Sequence, residues 1–167
     1  ELADYCEAKY SLLTQHTDPE KALPPLLVRQ QKAVDLITQC YQQMHMLSAQ
    51  NNNDYKRMLR IFQEALDLQE HISVSLHQPE EVQKLVERSH AEEVIRWNAQ
   101  TVAARLRVLA DDILYHRLPT RFTMEKQIGA LEKIARQHPD NPVGQFCYWH
   151  FSRIARVLRT QKPLYAR

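Results

Sequence analysis

Residues Ser89–His116, SHAEEVIRWNAQTVAARLRVLADDILYH, hold the longest unbroken helical pattern in the chain, and the fold turns on how they are read. Val94, Asn98, Val102, Leu106 (or Arg105), Leu109 and Ile113 recur every three to four residues, which brings their side chains to one helix face. Trp97, Thr101 and Val108 widen that stripe beyond a coiled-coil seam, so the helix is expected to have neighbours on more than one side. Ser89 and Glu92 have the S-x-x-E spacing of a capping box, and Leu118-Pro119 marks the far end. At about 1.5 Å per residue the helix would span about 40 Å, the width of a small domain.

Outward from this scaffold the chain reads as shorter helices. A first helix is expected from Glu1 to about His16, offering Leu2, Tyr5, Cys6, Leu12 and Leu13 for packing, and Thr17-Asp18-Pro19 ends it. Pro24-Pro25 is expected to open the second helix, because Pro is tolerated in a first turn where its missing N–H loses no partner; Leu26, Ala33, Ile37, Cys40, Met44 and Leu47 follow as its stripe. After a polar turn at 50–53, Asn53 or Asp54 is expected to cap a third helix to about Leu76, with Met58, Phe62, Ala65, Ile72 and Leu76 inward. Pro79 starts a short fourth helix with Val82, Leu85 and Val86. Beyond the central helix, a sixth runs from about Thr123 to Gln137, and its Gly129 fits either a close helix crossing or an open surface position. Asn141 caps the seventh and Pro142 takes its first position, with Phe146, Cys147, His150, Ile154 and Leu158 continuing the stripe. The prediction is one all-α domain over 1–167, a mainly antiparallel bundle of about seven helices around a long central helix at about 89–116.

Composition narrows the function classes. Only 2 glycines are present and no G-x-G-x-x-G or P-loop spacing, so a phosphate-cradling glycine loop is ruled out. The 3 cysteines, Cys6, Cys40 and Cys147, are odd in number and far apart, which indicates neither a disulfide framework nor a zinc site and favours a reducing cytoplasm. No stretch approaches the length and apolarity of a membrane span or a signal peptide. Glu1 stands where an initiator Met would, so the chain is expected to be a piece of a longer protein.

Candidate chemistry is sparse. Glu87 and His90 match the Glu-x-x-His of di-iron bundles, but only one copy exists and a cap at Ser89 would put the two on different helices. Asp112 and His116 have the i, i+4 spacing of a metal or catalytic pair on one helix face, with no third ligand placed by a motif. His45, His71 and His150 are isolated, and no hydroxyl or thiol sits in a nucleophile motif, so no catalytic, cofactor or metal residue is assigned. The alternative these residues leave open is a helical-bundle enzyme or small-molecule sensor, metal-dependent through Glu87, His90, Asp112 and His116.

Charge is better organised. No acidic residue follows Asp140, while Arg153, Arg156, Arg159, Lys162 and Arg167 recur along the last helix as a basic stripe, which reads as an ordinary solvated face, as a membrane-proximal cytoplasmic segment or, least well, as a nucleic-acid surface. Glu1, Asp4, Glu7, Asp18 and Glu20 stand against Lys9 alone at the other end, so the two ends are oppositely charged and could lie side by side. A net charge of +2 without an aromatic-interleaved basic ribbon makes nucleic acid a poor partner.

From ELADYCEAKYSLLTQ through HAEEVIRWNAQTVAARLRVLADDILYH to RIARVLRTQKPLYAR, the whole chain resembles the soluble region of the YccS group of FUSC-like bacterial inner-membrane proteins, which is similar to fusaric acid resistance proteins and aromatic acid exporters. The likeness implies a polytopic membrane protein in which this helical region lies on the cytoplasmic face between two transmembrane blocks. Those blocks of its own parent chain, the membrane surface near the termini and a second copy of the chain are the partners it implies. It also implies efflux of small organic acids, with no catalysis and an assembly, coupling or regulatory role for this region.

Overall fold

The structure is a computed structural model describing residues 1–15, 17–47, 52–73 and 78–159, with positions 47 and 52–54 described in backbone only. The described residues form seven α-helices and no strand, as expected: α1 (Leu2–Thr14), α2 (Pro19–Leu47), α3 (Asn52–Ile72), α4 (Pro79–Arg88), α5 (Glu92–Leu114), α6 (Glu125–Gln137) and α7 (Pro142–Arg159). Leu76, Lys162, Arg167 and the first two positions of the 50–53 turn lie outside the described residues; α3 already begins at Asn52, so Asn53 and Asp54 sit in its first turn.

The central helix starts later than its sequence suggests. Ser89 is the C-cap of α4, and its Oγ donates back to the carbonyls of Leu85 (3.1 Å) and Val86 (3.0 Å) instead of capping α5. A Ser hydroxyl commonly bonds backward in this way, which removes it from the capping box. The buried face of α5 is also turned from the expected one. Ile95, Ala99 and Ala103 are buried beside Asn98, Val102 and Leu109, whereas Trp97 and Val108 are exposed. The reason is α1, which runs antiparallel over Ala99 and Ala103; there the small side chains allow a close approach and the Cys6 thiol donates to the Ala99 carbonyl.

One further expectation is corrected and one open choice is decided. Pro24-Pro25 lies inside α2, which begins five residues earlier at Pro19. Asp18 supplies the cap, its Oδ1 accepting from the Glu20 N–H (3.1 Å), and Pro19 occupies the first helical position. Gly129 is not at a helix crossing, because a Cβ there would meet nothing within 4 Å. The close crossing is at Gly144, where a Cβ would stand 2.9 Å from both Cα and N of Ala135 on α6. The cap before it is as predicted: the Val143 N–H donates to Asn141 Oδ1 (3.0 Å), and the Asn141 amide also donates to the Leu85 carbonyl (2.7 Å), tying α7 to α4.

One contiguous core joins these helices through Tyr10, Leu68, Ile72, Val86, Ile95, Val102, Leu131, Phe151, Ile154 and Leu158 among others. Phe146 is exposed, and Phe151 takes the core place on α7. Polar side chains are built into this interior as well, Asn98, Lys9 and His150 among them. Asn98 donates from Nδ2 to the carbonyls of Val94 and Gln127 (2.9 Å each), joining α5 to α6. Lys9, 3% exposed, donates to the carbonyl of Ile72, the last residue of α3, a group with no intrahelical donor. Burial pulls the Lys9 ammonium down to about 8. His150, 7% exposed, lies stacked on Phe146 (centroids 5.7 Å) and against Tyr10 and Phe151. Burial, aided by the charges of Lys9, His71 and Arg153, pushes its imidazole down to about 3.

Two stability predictions follow from this packing. Gly144→Ala must displace backbone and is expected to cost about 1–3 kcal/mol, whereas Gly129→Ala, on an open helix face, is expected to gain about 0.5–1 kcal/mol in urea unfolding. His150 titrates lower in the native chain than its ordinary 6.5, so the unfolded chain binds the extra proton as pH falls below 6.5 and stability drops by about 1.4 kcal/mol per unit through that window. Unfolding measured between pH 6.5 and 5 is expected to show a loss of about 2 kcal/mol that His150→Phe largely abolishes.

Candidate functional site

Arg153, Arg156 and Arg159 are all exposed on α7, and three-residue steps on a 3.6-residue helix, drifting by about 60° each, spread them over an arc of about 120°. Arg153 borders a groove of about 300 Å³ between α3 and α7 with His71, Phe146 and Trp149. Arg156 and Arg159 face the start of α6 on another side.

The acidic beginning of the chain finds other partners than these arginines. Glu1 pairs with Lys32 (2.7 Å). Asp4 and Glu7, one turn apart on α1, converge on Arg107 of the antiparallel α5: Nη1 donates to Glu7 Oε1 (3.0 Å), and Nη2 to Glu7 Oε2 (2.9 Å) and Asp4 Oδ1 (2.8 Å). Hydrogen bonding to this guanidinium holds both carboxyls below their usual range and raises the Arg107 pKa. The groups are solvated, so the forked pair sets the register of α1 on α5 more than it adds stability. The side-by-side pairing open to the oppositely charged chain ends is thus replaced at these residues by a clamp to the middle of the chain.

The residues proposed as a metal or catalytic set serve as backbone punctuation. His90 has φ 52° and follows the C-cap of α4; its N–H donates to the Glu87 carbonyl (3.0 Å) and the Ala91 N–H to the Val86 carbonyl (3.2 Å). His116, φ 53°, repeats this after α5, where its N–H reaches the Ile113 carbonyl (3.4 Å) and the Arg117 N–H reaches that of Asp112 (2.8 Å). Both are Schellman ends in which His fills the left-handed place usually given to Gly. The His116 ring meets Arg57 (3.0 Å), while the Asp112 carboxylate lies 3.8 Å from Arg117. Among the described residues no three His, Cys, Asp or Glu side chains stand close enough to hold a metal.

Sequence reasoning did not find the cleft where the α5–α6 linker, the start of α6 and the last turn of α7 meet. Its polar end, about 360 Å³, is lined by Arg105, Thr120, Arg121 and Arg159. Its apolar end, about 230 Å³, is lined by Met124, Ile128 and Ala155, with Phe122, Thr123, Glu125 and Arg159 common to both. Arg105, 6% exposed, donates to Thr120 Oγ1 (3.2 Å) and its carbonyl (2.8 Å) and lies over the Phe122 ring (5.2 Å). The signal available in sequence was Arg105 itself, a cation inside the apolar stripe of the central helix.

The pattern "FUSC-like inner membrane protein yccS" matches residues 1–165. YhfK of Escherichia coli (strain K12) is 99% identical over 167 residues, which is 100% of this chain and 24% of that relative's length. No solved structure matches. No helix among the described residues is long and apolar enough to cross a membrane. A match that runs through nearly every position, in helices and linkers alike, places this chain in the FUSC-like inner membrane protein yccS family.

Proposed function

We propose that this chain is the cytoplasmic module of an efflux-type inner-membrane protein that exports small organic acids, with a non-catalytic part in subunit assembly, in coupling the membrane blocks or in substrate access. The observation that carries the reading is the family match over residues 1–165 in a chain spanning 24% of the length of its relative. Membrane-spanning segments then belong to the remainder of the longer protein. The charge of the final stretch supports the cytoplasmic side: Arg153, Arg156, Arg159, Lys162 and Arg167 follow the last acid, Asp140, in keeping with the excess of cationic residues beside cytoplasmic membrane flanks.

The structure supplies a probe for sidedness. Cys40 is exposed on α2, whereas Cys6 and Cys147 are buried and burial pushes both thiols up to about 12, so Cys40 is the reactive thiol of this region. In cells expressing the full-length protein, the product is expected to stay in the membrane pellet through a carbonate wash. A membrane-impermeant maleimide is expected to label Cys40 only after the inner membrane is opened, with Cys40→Ser as the control. Release by carbonate would overturn the membrane assignment, and labelling of Cys40 with the inner membrane intact would overturn the cytoplasmic one.

A further inference from the structure

We propose that the cleft between the α5–α6 linker, the start of α6 and the last turn of α7 binds a phosphate group carried on a small organic body, with Arg121 and Arg159 on the phosphate and Phe122 and Ile128 against the body.

Four arginines from three different elements converge here: Arg105 from α5, Arg121 from the linker, and Arg156 and Arg159 from α7. Gathering four cations around one cleft raises their mutual repulsion, and a bound anion relieves it. Among the described residues no carboxylate forms an ion pair with Arg105, Arg121 or Arg159. Asp112, which acts on Arg105 electrostatically, is paired with Arg117 (3.8 Å). Glu125 is exposed at the rim, and no ion pair joins it to Arg121 or Arg159.

Arg105 gives the second, independent indication. It is 6% exposed, and although its terminal nitrogens are held by Thr120, its Nε is buried without a hydrogen-bond partner. A buried guanidinium with a neutral hydroxyl and a carbonyl as its partners has no counter-charge in direct contact, and burial lowers its pKa accordingly. An anion in the cavity that Arg105 lines supplies that charge.

The remaining wall suits phosphate in particular. α6 begins at Glu125 with Met124 at its N-cap, and although the Glu125 N–H is taken by Thr123 Oγ1 (3.5 Å), the positive end of the helix dipole stands at the cleft that Thr123 and Glu125 line. Thr120 and Thr123 add hydroxyls, and planar guanidinium forks match phosphate oxygens. The adjoining apolar end fixes the ligand as more than bare phosphate, because Phe122, Met124, Ile128 and Ala155 offer a wall for an alkyl or aromatic body.

The same chemistry comes from a soluble phosphate ester or from an anionic phospholipid headgroup, and two probes separate them. The 167-residue chain is titrated calorimetrically with phenyl phosphate, with inorganic phosphate as reference, and floated with vesicles of phosphatidylglycerol in phosphatidylcholine. Saturable binding of phenyl phosphate, tighter than inorganic phosphate, is expected. Arg121→Gln and Arg159→Gln, both at exposed positions and checked for an unchanged thermal midpoint, are expected to weaken it about tenfold each, and Glu125→Gln to tighten it severalfold. Vesicle binding lost in the same two variants, without phenyl phosphate binding, assigns the site to a headgroup. The proposal is overturned if neither probe binds, if binding is indifferent to Arg121 and Arg159, or if inorganic phosphate binds as tightly as its phenyl ester.

Discussion

The seam between α1 and α5 is the contact on which the other helices depend. α1 buries Ala3, Tyr5, Cys6, Lys9, Tyr10, Leu12, Leu13 and Thr14 over its 13 residues, more of its surface than a helix of its length can hide on one neighbour. α5 takes one side through Ala99 and Ala103; α2 and α4 take others, the latter through Gln83 Nε2, which donates to the Leu12 carbonyl (2.6 Å). The far side meets α7 where Tyr10 packs on Phe151 (4.9 Å between centroids). Lys9 then closes the end of α3. On its covered faces such a helix cannot carry polar groups to water, which is why a lysine, two tyrosines and a thiol lie in the interior with shifted proton affinities.

Scarcity of glycine shapes the connections. With 2 glycines in the whole chain, the left-handed positions after α4 and α5 fall to His90 and His116, and the one that precedes α4 to Gln78. Histidines at such positions catch the eye of a reader looking for metal ligands, yet their backbone conformation explains them here. One of the glycines is kept where no other residue fits, at the α6–α7 crossing.

What was legible in the sequence was what is decided locally. Asn141-Pro142 and Pro79 were readable because a cap and a first-turn proline act within three residues of themselves. The helical periods of α5 and α7 located their core faces to within one neighbouring column of side chains. Readings failed where two local signals competed, or where the answer lay across space. The Ser89 hydroxyl could accept from the amides ahead of it or donate to the carbonyls behind it, and it took the backward bonds. Pro24-Pro25 was outranked by Asp18-Pro19 just upstream. Gly129 and Gly144 are indistinguishable in sequence, since only the position of Ala135 separates them. The cleft escaped for the same reason: Arg105, Arg121 and Arg159 are scattered over more than fifty positions, and no periodicity joins them.

The clamp of Arg107 on Asp4 and Glu7 links positions a hundred residues apart. A ribosome adding about 5–20 residues per second makes α1 long before the helix that covers it. For several seconds the nascent chain therefore carries an apolar helix with its tyrosines and leucines uncovered, waiting for α5. Order of synthesis thus gives the first helix of the region its longest exposure to chaperones and to mispairing, and the emergence of Arg107 sets the earliest moment at which the seam between α1 and α5 can close.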